Sequence, residues 1–367
     1  MTNSFPYSQN QSFPNRYISP EKLFSYLQDN YSDYIKEVGK SSLGKPIYML
    51  TLGNGKMKIA AWSQMHGNES TATLAMLDLL SIFEKHPHLS EKLLGLIQLD
   101  FIFMLNPDGS EAWTRRNAYD IDINRDFIRN SSNEVRVLKS IVLNGSYSYL
   151  LNLHDQRTIF TTDGVHPATL SFLSPSENHE RDLTENRKKS MAVIAAIYMQ
   201  MKQILLNRIA KYTDEFYPTS SGDNFMKAGI PSILFEGGFY ENDLDRKKTR
   251  EYYTHALYFA LKAISVLKGD TLSYETYFDI PQNKETHFDL IYRNVKLNTE
   301  FECIMDIAVQ YREILDENKN LTYQPYVIEV GDLNHKKGWK EIDCTDKKFV
   351  SLKRFPKLDS LVDFSIE

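Results

Sequence analysis

Residues 57–83 read MKIAAWSQMHGNESTATLAMLDLLSIF, and the fold turns on this stretch. Met57–Trp62 is an apolar run of strand length, whereas Ala72–Phe83 carries the spacing of a helix with one buried face. Between them lies the polar loop His66-Gly67-Asn68-Glu69. A strand that feeds a helix through a short loop is the unit from which sheets with helices on their faces are built.

Working outward, the same alternation continues. Upstream, Ser19–Tyr34 has helical spacing behind a Ser-Pro start. Gly53-Asn54-Gly55 separates Tyr48–Leu52 from Met57–Trp62, which predicts a hairpin. Downstream, strands are expected at Ile97–Leu105, Tyr147–Leu153 and Ser232–Phe235, and helices at Asn133–Leu143, Asn186–Lys211 and Arg246–Leu267. The pattern predicts an α/β fold, a sheet covered by helices on both faces. Ligands of such sheets sit beyond the carboxyl ends of the strands. His66, Asn106-Pro107-Asp108-Gly109, His154 and Glu236 all fall at or just after a predicted strand end.

After Gly269 the texture changes to strand-like pieces at Tyr274–Ile280, Phe288–Leu297, Tyr323–Val330 and Phe349–Leu352. The expected organisation is a disordered segment over 1–16, a catalytic domain over 17–268 and a small β-rich C-terminal domain over 270–367.

Composition excludes some classes of function. With 367 residues, 42% of them hydrophobic, the chain can bury a full core. A net charge of −5 offers no basic field for nucleic acid or an anionic membrane surface. The first twenty residues lack the basic-then-apolar pattern of a secretory leader, and no run is apolar enough to span a membrane. Two cysteines without metal-like spacing fit a reducing compartment, so the expectation is a cytoplasmic protein acting on small molecules or peptides.

The chemistry-bearing residues are few. Imidazole and carboxylate are both zinc ligands, and a catalytic zinc takes three protein ligands and keeps one position open. His66 and Glu69 stand three apart at a helix start, and His154 in Leu153-His154-Asp155 is the natural third. Alone, the His-x-x-Glu pair also reads as a helix start with a capping carboxylate. Glu236 closes the apolar run Ser-Ile-Leu-Phe, where a carboxylate is costly unless paired or functional.

Taken in order, these motifs resemble those of the zinc metallocarboxypeptidases, the carboxypeptidase A-like family. The resemblance runs from Glu37-Val38-Gly39-Lys40-Ser41 through Gly44-Lys45-Pro46-Ile47, His66-Gly67-Asn68-Glu69 and Asn106-Pro107-Asp108-Gly109. It continues with Arg115-Arg116-Asn117 and Asp122-Ile123-Asn124-Arg125-Asp126-Phe127, and ends at His154 and Glu236. It covers roughly residues 17–265 and implies the family's mixed-sheet α/β fold. It further implies one zinc ion held by His66, Glu69 and His154, with Asp122 fixing the His66 ring from behind. Arg115 matches the arginine that stabilises the oxyanion, Asn124 and Arg125 the pair that grips a substrate carboxylate, and Glu236 the general base. Tyr217 is the candidate for the tyrosine that covers bound substrate. Arg116 competes with Arg115, and Tyr212 with Tyr217; Asp122 and Asn124 also read as turn formers.

Three positions depart from the family pattern: Asn68 in place of an arginine, Asp126 in place of an asparagine, and Asp155 where a small residue is common. An extra carboxylate beside Arg125 would weaken its hold on an anionic substrate or select a cationic one. The implied substrate is a peptide with a free C-terminal carboxylate. Two alternatives are an aspartoacylase-like hydrolase of N-acyl amino acids and a non-catalytic binding protein on the same fold.

Overall fold

The computed structural model describes residues 5–367. The chain divides into two units, one made of residues 1–156 and 168–283, the other of 157–167 and 284–367.

The first unit is built on eight strands: β1 (Ile35–Lys40), β2 (Pro46–Leu52), β3 (Met57–Trp62), β4 (Ile97–Phe103), β5 (Tyr149–Asp155), β7 (Leu170–Leu173), β8 (Ile209–Lys211) and β9 (Ser232–Gly237), with the short β6 (Phe160–Thr161) falling in the other unit. Their order is β1-β2-β4-β3-β5-β9-β7-β8. The centre, β4-β3-β5-β9, is parallel, whereas β1, β2 and β4 pair antiparallel, as do β9 and β7. Helices α1 (Pro20–Tyr31), α2 (Thr71–Lys85), α3 (Pro87–Leu94), α4 (Pro107–Ala112), α5 (Asn133–Asn144), α6 (Glu185–Met201), α7 (Ser221–Lys227) and α8 (Lys247–Leu267) complete the unit. Alternation along β3 feeds two cores: Ile59 and Ala61 pack with residues of α1, α2, α6 and α8, and Ala60 and Trp62 with residues of α5 and α7. The fold is therefore a mixed α/β sheet with helices on both faces.

Several expectations need correction. β2 and β3 form no hairpin, because β4 lies between them. The glycine turn instead lets the chain pass the start of β4, where a Cβ at Gly55 would lie 1.9 Å from the Leu96 carbonyl carbon. The predicted long helix ends at Met201, and Ile209–Lys211 leaves it to pair with β7. Tyr274–Asp279 is a 3₁₀ turn rather than a strand.

Residues 1–4 of the segment expected to be disordered lie outside the described residues; 5–16 are packed. Phe13 is buried edge-on to Tyr26, and Asp78 on α2 accepts from Asn10 N (2.6 Å) and Tyr7 Oη (3.0 Å). Polar composition suggested disorder, but the segment's partners are buried groups far along the chain.

The second unit is β-rich. Its main sheet runs β14 (Lys337–Asp343), β11 (His287–Lys296), β12 (Ile304–Leu315), β13 (Leu321–Gly331), β16 (Ser360–Leu361). Strand β10 (Lys284–Glu285) pairs with β6, and β15 (Phe349–Ser351) with β17 (Phe364–Ile366). Residues 157–167 join this unit because Thr158 accepts from Trp339 Nε1 (2.9 Å) and Gln310 Nε2 (2.7 Å). The division thus falls after Asn283 rather than at Gly269, with an eleven-residue excursion that no sequence signal marks. Cys303 and Cys344 are free thiols. Among the described residues no helix is long and apolar enough to cross a membrane.

Candidate metal centre

The loop after β3 is held by backbone packing. A Cβ on Gly67 would lie 2.0 Å from the Gly109 carbonyl carbon, so only glycine lets the His66 loop meet the start of α4. Gln64 Nε2 donates to Gly67 O and to Ser110 Oγ (both 2.8 Å), and Asn106 accepts from Gly109 N (2.9 Å) to cap α4. The Asn-Pro-Asp-Gly motif is scaffolding. Its Asp108 accepts from Leu43 N (3.0 Å) and Lys45 Nζ (2.8 Å), which ties down the β1–β2 turn.

On this frame His66, Glu69 and His154 converge, all three buried. His66 Nδ1 lies 2.8 Å from Glu69 Oε1, His154 Nδ1 lies 2.9 Å from Glu69 Oε2, and the two Nδ1 atoms are 3.1 Å apart. Tetrahedral zinc with bonds of about 2.0–2.1 Å places its ligand atoms roughly 3.3 Å from one another. Two imidazole nitrogens facing each other across a carboxylate is what a shared divalent ion stabilises, and the donor set fits zinc.

Around the trio, Asp122 Oδ1 lies 3.2 Å from His66 Nε2, in the position that fixes ring orientation. Arg115 donates through Nε to Asp122 Oδ2 (3.2 Å) and through Nη1 to Glu69 Oε1 (3.2 Å). Arg116 turns away to Asp120 O (2.8 Å), which leaves Arg115 at the centre. Asn124 Oδ1 accepts from Ser221 N (3.0 Å), so its amide donors are the end left for a ligand. The Arg125 guanidinium lies 4.1 Å from the centre of the Tyr217 ring. Glu236 is the register partner of His154 across the β5–β9 ladder and of Ser171 on its other side.

Electrostatics follow from burial. Burial would raise the Glu69 carboxyl, but His66 and His154 overcome it and hold Glu69 well below its ordinary range. Burial lowers His154. For His66, Glu69 and Asp122 outweigh the same effect and the shift is upward. Burial pushes Glu236 well up, reinforced by Glu69 and Asp155 and opposed by Arg115 and Arg246; its Oε2 has no hydrogen-bond partner. Burial and the neighbouring carboxylates favour the protonated form of Glu236, and a positive charge bound beside it would favour the carboxylate.

Of the residues expected from the sequence, His66, Glu69, His154, Asp122 and Arg115 form one bonded group, Asn124 N joins it through Asp122, Glu236 lies across the ladder from His154, and Arg125 and Tyr217 stack on each other. Two of the three departures are resolved. Asp126 accepts from Ser131 N, Ser132 N and Ser132 Oγ at 2.7–3.0 Å, so its carboxylate is spent on anchoring the start of α5. Asp155 bonds Thr71 Oγ1 (2.7 Å) and faces Arg246. Thr71 and Arg246 went unmarked in the sequence, since neither stands in a motif.

Fold and site together fit a protein that holds one divalent metal ion at the end of a mixed α/β sheet. A family model described as zinc carboxypeptidase matches residues 21–227. Solved structures share the fold. A metallo-carboxypeptidase from Burkholderia cenocepacia is 17% identical, with 69% of this chain and 70% of that one covered at a TM-score of 0.53. The carboxypeptidase A of Helicoverpa armigera is 16% identical over 68% and 74% of the two chains, at 0.54. Bovine thrombin-activatable fibrinolysis inhibitor, solved with a tick carboxypeptidase inhibitor, is 17% identical over 69% and 98%, also at 0.54. No curated protein matches the chain. The chain belongs to the zinc carboxypeptidase family, hydrolases that act on peptide bonds and carry zinc.

Proposed function

We propose that the protein is an exopeptidase that removes the last residue of a peptide bearing a free carboxylate. The observation that carries this reading is that Asp122 bridges His66 of the His66–Glu69–His154 trio to the backbone N of Asn124, next to the Arg125 guanidinium stacked on Tyr217. A guanidinium fork beside a hydrolytic centre suits a substrate whose scissile bond lies next to a carboxylate.

In this reading the terminal carboxylate docks on Arg125 and the Asn124 amide, and Tyr217 closes over the bound residue. His66 Nδ1, His154 Nδ1 and the Glu69 carboxylate would hold the zinc, which supplies Lewis-acid polarisation and activates water. Asp122 keeps the His66 ring oriented. Arg115 offers a preorganised positive charge to the carbonyl oxygen as it becomes an oxyanion. Glu236 takes the proton of the attacking water and passes it to the leaving amine.

The test is a substrate comparison with zinc-loaded protein: free peptides, the same peptides amidated at the C-terminus, and N-acyl amino acids. Cleavage confined to free-acid peptides is expected, and Arg125→Gln should lower kcat/KM by about 10²-fold, mostly through KM, for loss of a charge-assisted contact. Hydrolysis of N-acyl amino acids alone would establish the aspartoacylase-like alternative. No hydrolysis of any substrate, with Glu236→Gln indistinguishable from the parent in every property, would favour a binding protein.

A further inference from the structure

The buried pair Asp155–Arg246 plays no part in the steps above, yet it touches the segments that carry Glu69, His154 and Glu236. Arg246 stands just before α8 with a left-handed backbone, φ +55°, a conformation a non-glycine residue holds only when its surroundings enforce it. Its side chain is buried and forks across the ends of two strands. Nη1 donates to Gly237 O (2.6 Å) and Nη2 to Gln156 O (2.7 Å). Gly237 directly follows Glu236, and Gln156 is two beyond His154.

Asp155 completes the arrangement. Its Oδ1 lies 3.7 Å from Arg246 Nη1, and its Oδ2 accepts from Thr71 Oγ1 (2.7 Å) and Thr71 N (3.3 Å), two residues after Glu69. Its own backbone N donates to Glu69 Oε2 (3.2 Å). A Cβ at position 237 would lie 2.6 Å from Asp155 Oδ1, so Gly237 makes the room this carboxylate needs. A buried ion pair adds little net stability compared with apolar packing. What this one does add is a fixed relation among three chain segments.

We propose that Arg246 and Asp155 are positioning residues, a staple that holds His154, Glu69 and Glu236 in the mutual geometry zinc binding and proton transfer require. The proposal rests on the roles given above to His154, Glu69 and Glu236. Its chemistry is local: the guanidinium fork locks the β5 and β9 ends together, and the carboxylate locks both to the start of α2.

Asp155→Asn and Arg246→Lys preserve size or charge while removing the paired geometry. Arg250→Lys serves as the stability control, because Arg250 bonds Asp78 and Phe13 O rather than these strand ends. The readouts are the zinc dissociation constant by chelator competition, the visible absorption of the cobalt(II)-substituted protein, and kcat and KM separately. Asp155→Asn and Arg246→Lys should each weaken zinc about 10–100-fold, alter the cobalt spectrum and lower kcat about 10-fold with KM within about twofold. Arg250→Lys should lower the thermal midpoint and leave the other readouts at parental values.

Folded Asp155→Asn and Arg246→Lys with zinc affinity and kcat within about twofold of the parent would overturn the proposal, as would an equal loss of affinity in Arg250→Lys. If either test variant fails to fold, Thr71→Val, which deletes only the hydroxyl holding Asp155, must weaken zinc binding; parental affinity there overturns the proposal too. A parent that cleaves no peptide would defeat the carboxypeptidase reading alone, since affinity and spectrum still decide the staple.

Discussion

Replacing Asp78 by leucine tests how the N-terminal segment is held. Asp78 is fully buried on α2 and accepts from Arg250 Nε (2.7 Å) and Nη2 (2.5 Å), Asn10 N (2.6 Å) and Tyr7 Oη (3.0 Å). Removing one partner of a buried ion pair leaves an uncompensated charge, which costs about 3–5 kcal/mol. The orphaned Asn10 N–H adds about 1–3 kcal/mol, discounted because the groups share one network. Asp78→Leu should therefore lose about 4–6 kcal/mol. The double variant Asp78→Leu/Arg250→Met removes the orphaned cation and should recover at least about 2 kcal/mol of that loss.

The assay is urea denaturation followed by tryptophan fluorescence, with limited proteolysis of residues 5–16 as a second readout. Trp113 is suited to it, since its ring lies 5.7 Å from that of Tyr17 at the end of the segment. A single-variant loss below about 1 kcal/mol, or a double variant no more stable than the single, would refute the reasoning. Either result would mean that the ion pair is not what fastens the segment.

Three further outcomes follow from the geometry. If Glu236 is the base proposed above, Glu236→Gln should lower kcat by about 10²–10⁴-fold while zinc affinity stays within a few-fold, measured by steady-state kinetics and chelator competition. Gly67→Ala should reduce both zinc affinity and the thermal midpoint, since its Cβ would lie 2.0 Å from Gly109 backbone that cannot retreat without moving His66. The C-terminal unit should lose stability as pH falls from about 6.5 towards 4. His287, stacked 4.0 Å from Trp339, is lowered to about 4 by burial and then by Lys337, so its neutral form is favoured in the folded state and protonation favours unfolding. His287→Gln should show a smaller drop in denaturation midpoint between pH 7 and pH 4.5; an equal drop would remove His287 as the cause.

Much of the site was legible because its signals are local. His66-Gly67-Asn68-Glu69 couples a strand end, a glycine close approach and two side chains able to bind metal within four residues, and Asp122-Ile123-Asn124-Arg125 is a single turn whose aspartate caps its own backbone (Asn124 N to Asp122 Oδ1, 3.0 Å). Its place two before Asn117 favours Arg115 over Arg116, but which guanidinium meets Asp122 and Glu69 was not a local property. Neither was the meaning of Asp126, which in sequence stands beside Arg125 and in space serves the start of α5. The missed hairpin has the same origin: a glycine turn is equally suited to reversing the chain and to slipping past a neighbouring strand.

By itself, the sequence determined the kind and order of most of the central strands and helices, the residues able to bind metal, and the family whose motifs they match. These are properties of short stretches, where hydrophobic period and backbone freedom act over a few residues. Tertiary structure alone decided that β4 enters between β2 and β3, that 157–167 belongs with the C-terminal unit, and that Arg246 reaches back to the ends of β5 and β9. Most such pairings join residues tens of positions apart, and which of many buried donors meets which acceptor is settled only when the whole core packs.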